Sequence, residues 1–281
     1  VSGFVPFRGM IVKTDLAAQG LKDAAFRQIY FNRKRQMLAR YPNFDPANPY
    51  VGGYAYVDGP LPKPPASMYR NETNDTAIVI RYRAKDARPW AHPESGEVNI
   101  FPRYNWMNDV VPIASVNPGT REIVLSRNVR TPETPAIRPY DRYYVRNLLE
   151  ELDSPGEWFH DKAADALFFW PPEPLTEGSV RVPVIENLIR IEAGAAWMTI
   201  RGFTLEGCSG AAVFVTGADD CLIAGNTLHN VASRFGPAAI EIGGGHRCGA
   251  VGNDISDAEN GGIRIGGGDL ETLEPGGNYA E

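Results

Sequence analysis

The sequence predicts an all-β protein whose last third is a parallel β-helix. Two observations carry this. Short aliphatic runs recur in two interleaved phases between Trp197 and Glu281, and glycine or asparagine punctuates them. The first phase reads Met198-Thr-Ile-Arg-Gly-Phe-Thr-Leu, Cys221-Leu-Ile-Ala-Gly-Asn-Thr-Leu and Cys248-Gly-Ala-Val-Gly-Asn-Asp-Ile, with Gly202, Gly225 and Gly252 spaced by 23 and 27 residues. The second reads Ala212-Val-Phe-Val-Thr-Gly, Ala239-Ile-Glu-Ile-Gly-Gly and Gly262-Ile-Arg-Ile-Gly-Gly, with Val213, Ile240 and Ile263 spaced by 27 and 23. A fixed period of this size marks a solenoid, and runs of about four residues without a 3.6-residue period make its units strands.

Each run then supplies one strand per rung. Glycine closes the strand because a tight corner needs positive φ or no Cβ. Asn226 and Asn253 follow that glycine at equivalent positions, as a stacked amide ladder requires. Ile200, Ile223 and Ala250 form one expected inward column, and Leu205, Leu228 and Ile255 another. The corner between Leu228 and Ile240 is four residues longer than its counterparts, which places a variable loop at 230–237. Cys221 and Cys248 fall on adjacent rungs facing inward; that spacing would admit a disulfide, and two buried thiols is the simpler reading.

Residues 1–180 carry no such period and read as a β-rich, sandwich-like accessory or inserted domain, with the rungs in 181–281. A hairpin turning near Arg33 and Lys34 comes first. An irregular Pro-rich passage follows at 45–65, because Pro fixes φ and donates nothing to a ladder. A strand is expected at 77–82 and a hairpin about Asn117-Pro-Gly. Val145 to Leu152 reads as the one helix, stopped by Ser154-Pro-Gly. A last hairpin spans Trp158 to Trp170.

Composition narrows the function. With 281 residues, 43% apolar and 22% charged, the chain is globular. A net charge of −6 without a basic run argues against nucleic acid. No stretch reaches 18 apolar residues, so no membrane insertion is expected. No Gly-x-Ser-x-Gly elbow, Walker loop or dinucleotide fingerprint is present, and no cysteine spacing suggests a metal.

Stacking converts sequence offsets into neighbours and so nominates chemistry. Phe214, Glu241 and Arg264 share one outward column, where an arginine can set the pKa of a carboxylate. Asp219, His246 and Asp269 share another, an imidazole between acids that can bind or protonate a sugar oxygen. Asp257 lies beside the long loop and is the leading single carboxylate. Trp106, in an Asn-rich loop, offers an apolar ring face for a sugar.

Three motifs carry a resemblance: the run from Phe26 to Asn43, the run from Tyr144 to Phe159, and the run from Asp257 to Asp269. They resemble large bacterial right-handed parallel β-helix proteins, especially those similar to the glycoside hydrolases active as α-fucosidases and xylanases. The resemblance covers nearly the whole chain. It implies that a β-rich domain interrupts the β-helix, that opening rungs precede this chain, and that it stops in mid-rung at Asn278-Tyr-Ala-Glu281. Further rungs or a self-association partner would then cover the open end.

The expectation is therefore a glycoside hydrolase, secreted or periplasmic, acting on a poly- or oligosaccharide with two carboxylates. Asp257, Asp269 and Glu241 are the candidate acids. His246, Arg264, Asn253, Arg234 and Trp106 are the candidate substrate-binding residues. No cofactor is expected. The rival readings are a polysaccharide lyase, which would take Ca²⁺ for a uronate, and a non-catalytic glycan-binding or adhesive solenoid. No Lys follows Lys162, which leaves a lyase to find its base among the arginines.

Overall fold

The computed structural model describes residues 1–59, 78–102, 105–130, 137–175, 178–233, 236–269 and 271–281. The chain forms two compact units, one of residues 2–23 and 36–175, the other of residue 1, 24–35 and 176–281.

The first unit holds two sheets. One has five strands in the order Val5–Arg8, Ile11–Asp15, Ala166–Phe169, Glu157–Asp161 and Met37–Leu38. In the other, of seven strands, Arg142–Arg146 pairs with Glu97–Phe101 on one side and with Arg40–Tyr41 and Ala55–Tyr56 on the other. Val98, Ile100, Val111, Ile123, Tyr143 and Val145 fill its core. The hairpins expected about Asn117-Pro-Gly and between Trp158 and Trp170 both form.

The expected helix does not form. Arg142–Arg146 is a strand whose burial alternates, and only a 3-10 turn, Leu149–Glu151, follows it. The leucine spacing that suggested a helix serves two other ends, since Leu148 and Leu152 are both buried, in the cores beside the two sheets. Asn147, at φ 58°, breaks the backbone between strand and turn.

The second unit contains the β-helix. Its first face stacks Ile189–Ile191, Val213–Thr216, Ile240–Gly243 and Ile263–Ile265 in parallel. The second face stacks Thr199–Arg201, Leu222–Ala224, Gly249–Val251 and Tyr279–Ala280. The third stacks Thr204–Glu206, Thr227–Val231 and Asp254–Ala258. Register follows the repeat: Ile200, Ile223 and Ala250 are partners, as are Leu205, Leu228 and Ile255. These side chains, with Val213, Val215, Ile240 and Ile242, make one continuous core. Cys208, Cys221 and Cys248 are free thiols buried in it.

Left-handed backbone turns each corner, and it too stacks. Gly202, Gly225 and Gly252 have φ of 75°, 60° and 57° between the second and third faces. Gly207, Asn230 and Asp257, at 79°, 54° and 51°, repeat the device at the end of the third face. Gly, Asn and Asp are the residues that enter this region most readily. A 3-stranded sheet of Val180–Arg181, Tyr30–Phe31 and Lys34–Arg35 completes the unit, and it includes the hairpin expected at Arg33 and Lys34.

Candidate functional site

The richest polar cluster lies on the outer side of the third face. Glu206, His229 and Ser256 occupy one outward column in register, one residue beyond the inward Leu205, Leu228 and Ile255. Glu206 Oε2 lies 3.0 Å from His229 Nε2 and 3.1 Å from Arg33 Nε. Arg181 is a second ion-pair partner of Glu206, and Arg33 also contacts His229. Asn230 Nδ2 donates to the carbonyl of Arg33 at 2.8 Å, tying the 24–35 segment to the solenoid.

The cluster continues along the same edge. The Tyr30 hydroxyl donates to Gln28, Gln28 donates to Glu259, and Arg35 pairs with Glu259. Burial pushes the Tyr30 phenol well above its ordinary range, and the Glu259 charge adds to the effect. Burial also depresses the His229 pKa, and Arg33 adds to it by Coulomb repulsion, while Asp257 pulls weakly the other way. His229 is therefore neutral near pH 7, beside the Glu206 carboxylate.

Asp257 stands at the open side of this cluster. Its left-handed backbone interrupts the pairing, so Ser256 pairs with His229 and Ala258 with Val231 while Asp257 has no strand partner. The side chain is exposed, and among the described residues it makes no hydrogen bond or ion pair. Every other carboxylate in the cluster is committed to an arginine.

The remaining candidates lie elsewhere. Glu241 is on the first face, with Oε1 3.0 Å from Arg264 and accepting the Ala238 amide at 2.9 Å. Arg264 also donates to the carbonyl of Gly236, so both residues hold the end of the long loop. Phe214 and Arg190 extend that outward column as a cation–π pair 4.9 Å apart.

His246 sits on the corner after the first face. Its backbone amide donates to Asp219 Oδ1 at 2.8 Å, and its Nδ1 lies 3.2 Å from the same oxygen. Asp269 does not join that column. It opens a turn, with its amide donating to Glu274 O and its carboxylate accepting the amides of Glu271 and Thr272. Those two amides hold the Asp269 carboxyl below the usual range. The chain returns to the rung at Gly276, which accepts the Arg247 amide, and Glu274 lies 3.8 Å from His246 in place of Asp269. Asp257 and Asp269 thus occupy different corners, with Ile263–Ile265 between them.

Asn253 spends its amide within the expected ladder, donating to Ile223 O at 2.8 Å and accepting from Asn226 at 2.9 Å. Trp106 is 67% exposed and belongs to the other unit. Arg234 lies outside the described residues. Reading the repeat missed Glu206, His229 and the whole 24–35 contribution. The Glu206 column was available from the period, one position past the leucines; the arginines on 24–35 were not.

No group of three or more His, Cys, Asp or Glu with metal-holding geometry occurs among the described residues. No helix there is long and apolar enough to cross a membrane.

Residues 187–274 match the family model of the right handed beta helix region. No curated protein sequence matches the chain. A solved structure named as a glycoside hydrolase is similar, with a TM-score of 0.54 at 15% identity, over 95% of this chain and 64% of its own. The chain thus spans about 64% of that protein's length, and at this identity the likeness is one of fold. The protein is an all-β chain with a right-handed parallel β-helix in its C-terminal part, similar in fold to a glycoside hydrolase.

Proposed function

We propose that this chain is the site-bearing part of a carbohydrate-active enzyme that hydrolyses glycosidic bonds of a poly- or oligosaccharide, and that Asp257 is its proton-handling carboxylate. The supporting observation is the uncommitted Asp257, left out of the strand pairing on the third face, beside carboxylates paired with arginines. Glycosidic cleavage needs two carboxyl groups in unlike electrostatic settings, and this edge offers them. A glycan lying over Asp257 would exclude water from the reacting groups.

Glu206 is the second carboxylate in this reading, paired with Arg33 and Arg181. Two rungs of ~4.8 Å set the two backbones roughly 10 Å apart, closer to the separation of inverting than of retaining enzymes. His229, neutral between them, positions Glu206. The name of the similar structure favours the same reaction class. A lyase is less well supported, because Arg33, Arg35, Arg181, Arg247 and Arg264 are each paired with a carboxylate. An enzyme of this kind meets polysaccharide outside the cytoplasm, so we place it in the secreted or periplasmic space.

The test is reducing-sugar release from a panel of polysaccharides by the full-length protein. Asp257→Asn should lower turnover about a hundredfold or more, the scale of a lost acid–base group, with the melting temperature unchanged. NMR of the first-formed anomer should show inversion. Retention of near-normal turnover by Asp257→Asn would sink the assignment, and Asp269→Asn and Glu241→Gln would then be the next variants.

A further inference from the structure

A second feature of the solenoid lies on a different corner, between the first and second faces. Trp197, Asp220, Arg247 and Gly277 turn that corner on successive rungs, at φ of 61°, 53°, 56° and 65°. Asp and Gly are at ease there; a bulky indole is not, and such an outlier points to a use. Trp197 lies on the first described rung of this corner, and its indole is 80% exposed. The strained choice falls on one residue whose counterparts on the next rungs show that smaller or polar side chains suffice.

The neighbouring rungs set polar groups beside the indole. Arg247 donates through Nε and Nη2 to the two oxygens of Asp220, both at 2.7 Å. Its Nη1 makes no hydrogen bond among the described residues. Asp219 and His246, joined at 3.2 Å, stand one position earlier in the corner, with Glu274 beyond them. An exposed aromatic face followed by a planar ion pair, at a rung spacing of ~4.8 Å, matches a sugar: its C–H face lies on the ring and its hydroxyls meet charged partners that strengthen hydrogen bonds.

We propose that this corner is a glycan-binding subsite for a neutral sugar, stacked on Trp197 with its hydroxyls on Arg247, Asp219 and His246. The charge balance selects the class. Asp219, Asp220 and Glu274 outnumber Arg247 and His246, so a uronate would meet net repulsion. The inference rests on carbohydrate being the ligand and not on Asp257 being catalytic.

Calorimetric titration of the full-length Asp257→Asn protein tests it, with gluco-, manno- and xylohexaose and hexagalacturonate as probes. At least one neutral hexaose should bind, and more tightly than hexagalacturonate. Trp197→Gly should weaken that binding at least tenfold while its melting temperature stays no lower than that of the parent, because glycine relieves the corner. Trp197→Phe should retain affinity within a few fold. Binding in Trp197→Gly within twofold of the parent, tighter binding of hexagalacturonate, or no binding of any neutral hexaose would each overturn the proposal. Turnover of the Asp257→Asn variant judges the hydrolytic reading separately.

Discussion

Asn226 donates its side-chain amide to Asn253 Oδ1 at 2.9 Å, and the same oxygen accepts the Asn226 backbone amide at 3.1 Å. Asn226 also donates to Ile200 O at 3.0 Å and accepts from Phe203 N at 3.0 Å. One buried side chain therefore satisfies backbone groups on the preceding rung and couples them to the next. An unsatisfied buried polar group costs about 1–3 kcal/mol, and Asn226→Ala creates more than one. We expect a loss of roughly 2–4 kcal/mol in urea unfolding; a change under half of that would show that water replaces the amide without penalty.

Leu228 tests the packing of the same stack. Its side chain is fully buried between Leu205 and Ile255. Leu228→Ala removes buried methyl groups from a column that cannot collapse without shifting strand pairing on both sides. The expected cost is about 2–5 kcal/mol, and Leu228→Asp should not fold at neutral pH because an unpaired charge has no partner there. Near-wild-type stability of the Asp variant would contradict the inward column.

The stack was legible because a solenoid turns sequence offset into spatial adjacency, so Ile200, Ile223 and Ala250 could be aligned before any coordinate was known. The same logic misplaced Asp269, because the segment 271–277 delays the return to the rung and puts Glu274 near His246. It misread 145–152 for a different reason. The pairing of Arg142–Arg146 with Glu97–Phe101 and Arg40–Tyr41 is non-local, and local leucine spacing carries no trace of it. Site chemistry was the least legible part. Arg33 and His229 are 196 residues apart, and only the folded chain shows that the early hairpin supplies the arginine. Asp257 was found from its place beside the long loop, but its left-handed backbone, which frees the side chain, is a property of the Gly207, Asn230 and Asp257 column.

Glu157 should make the first unit less stable as pH rises. Burial raises its pKa from 4.5 to about 7, and the amides of Asp153 and Ser154 offset only part of the effect. Between those values the folded state binds the proton more tightly than the unfolded state, so stability declines across the window and levels off above it. At 1.36 kcal/mol per unit the decline is at most about 3 kcal/mol. Glu157→Gln keeps a carbonyl for both amides and has no proton to lose. It should flatten the slope of unfolding free energy between pH 4.5 and 7, and an unchanged slope would assign the effect to another group.

His229 should impose the opposite slope on the solenoid unit. Its folded pKa lies below the ordinary 6.5, through burial first and Arg33 second. The unfolded chain therefore takes up a proton that the folded cluster refuses, and stability is lost as pH falls through 6.5. Protonation would set an imidazolium against Arg33, and the attraction of Glu206 is already shared with Arg33 and Arg181. Hydrogen exchange can read this edge by itself. On acidification from pH 7.5 to 5.5, protection at Thr227–Val231 should fall. His229→Asn keeps a polar group of similar reach and cannot charge, so it should abolish the change. If exchange at Thr227–Val231 still quickens in that variant, the acid sensitivity of this edge does not arise at His229.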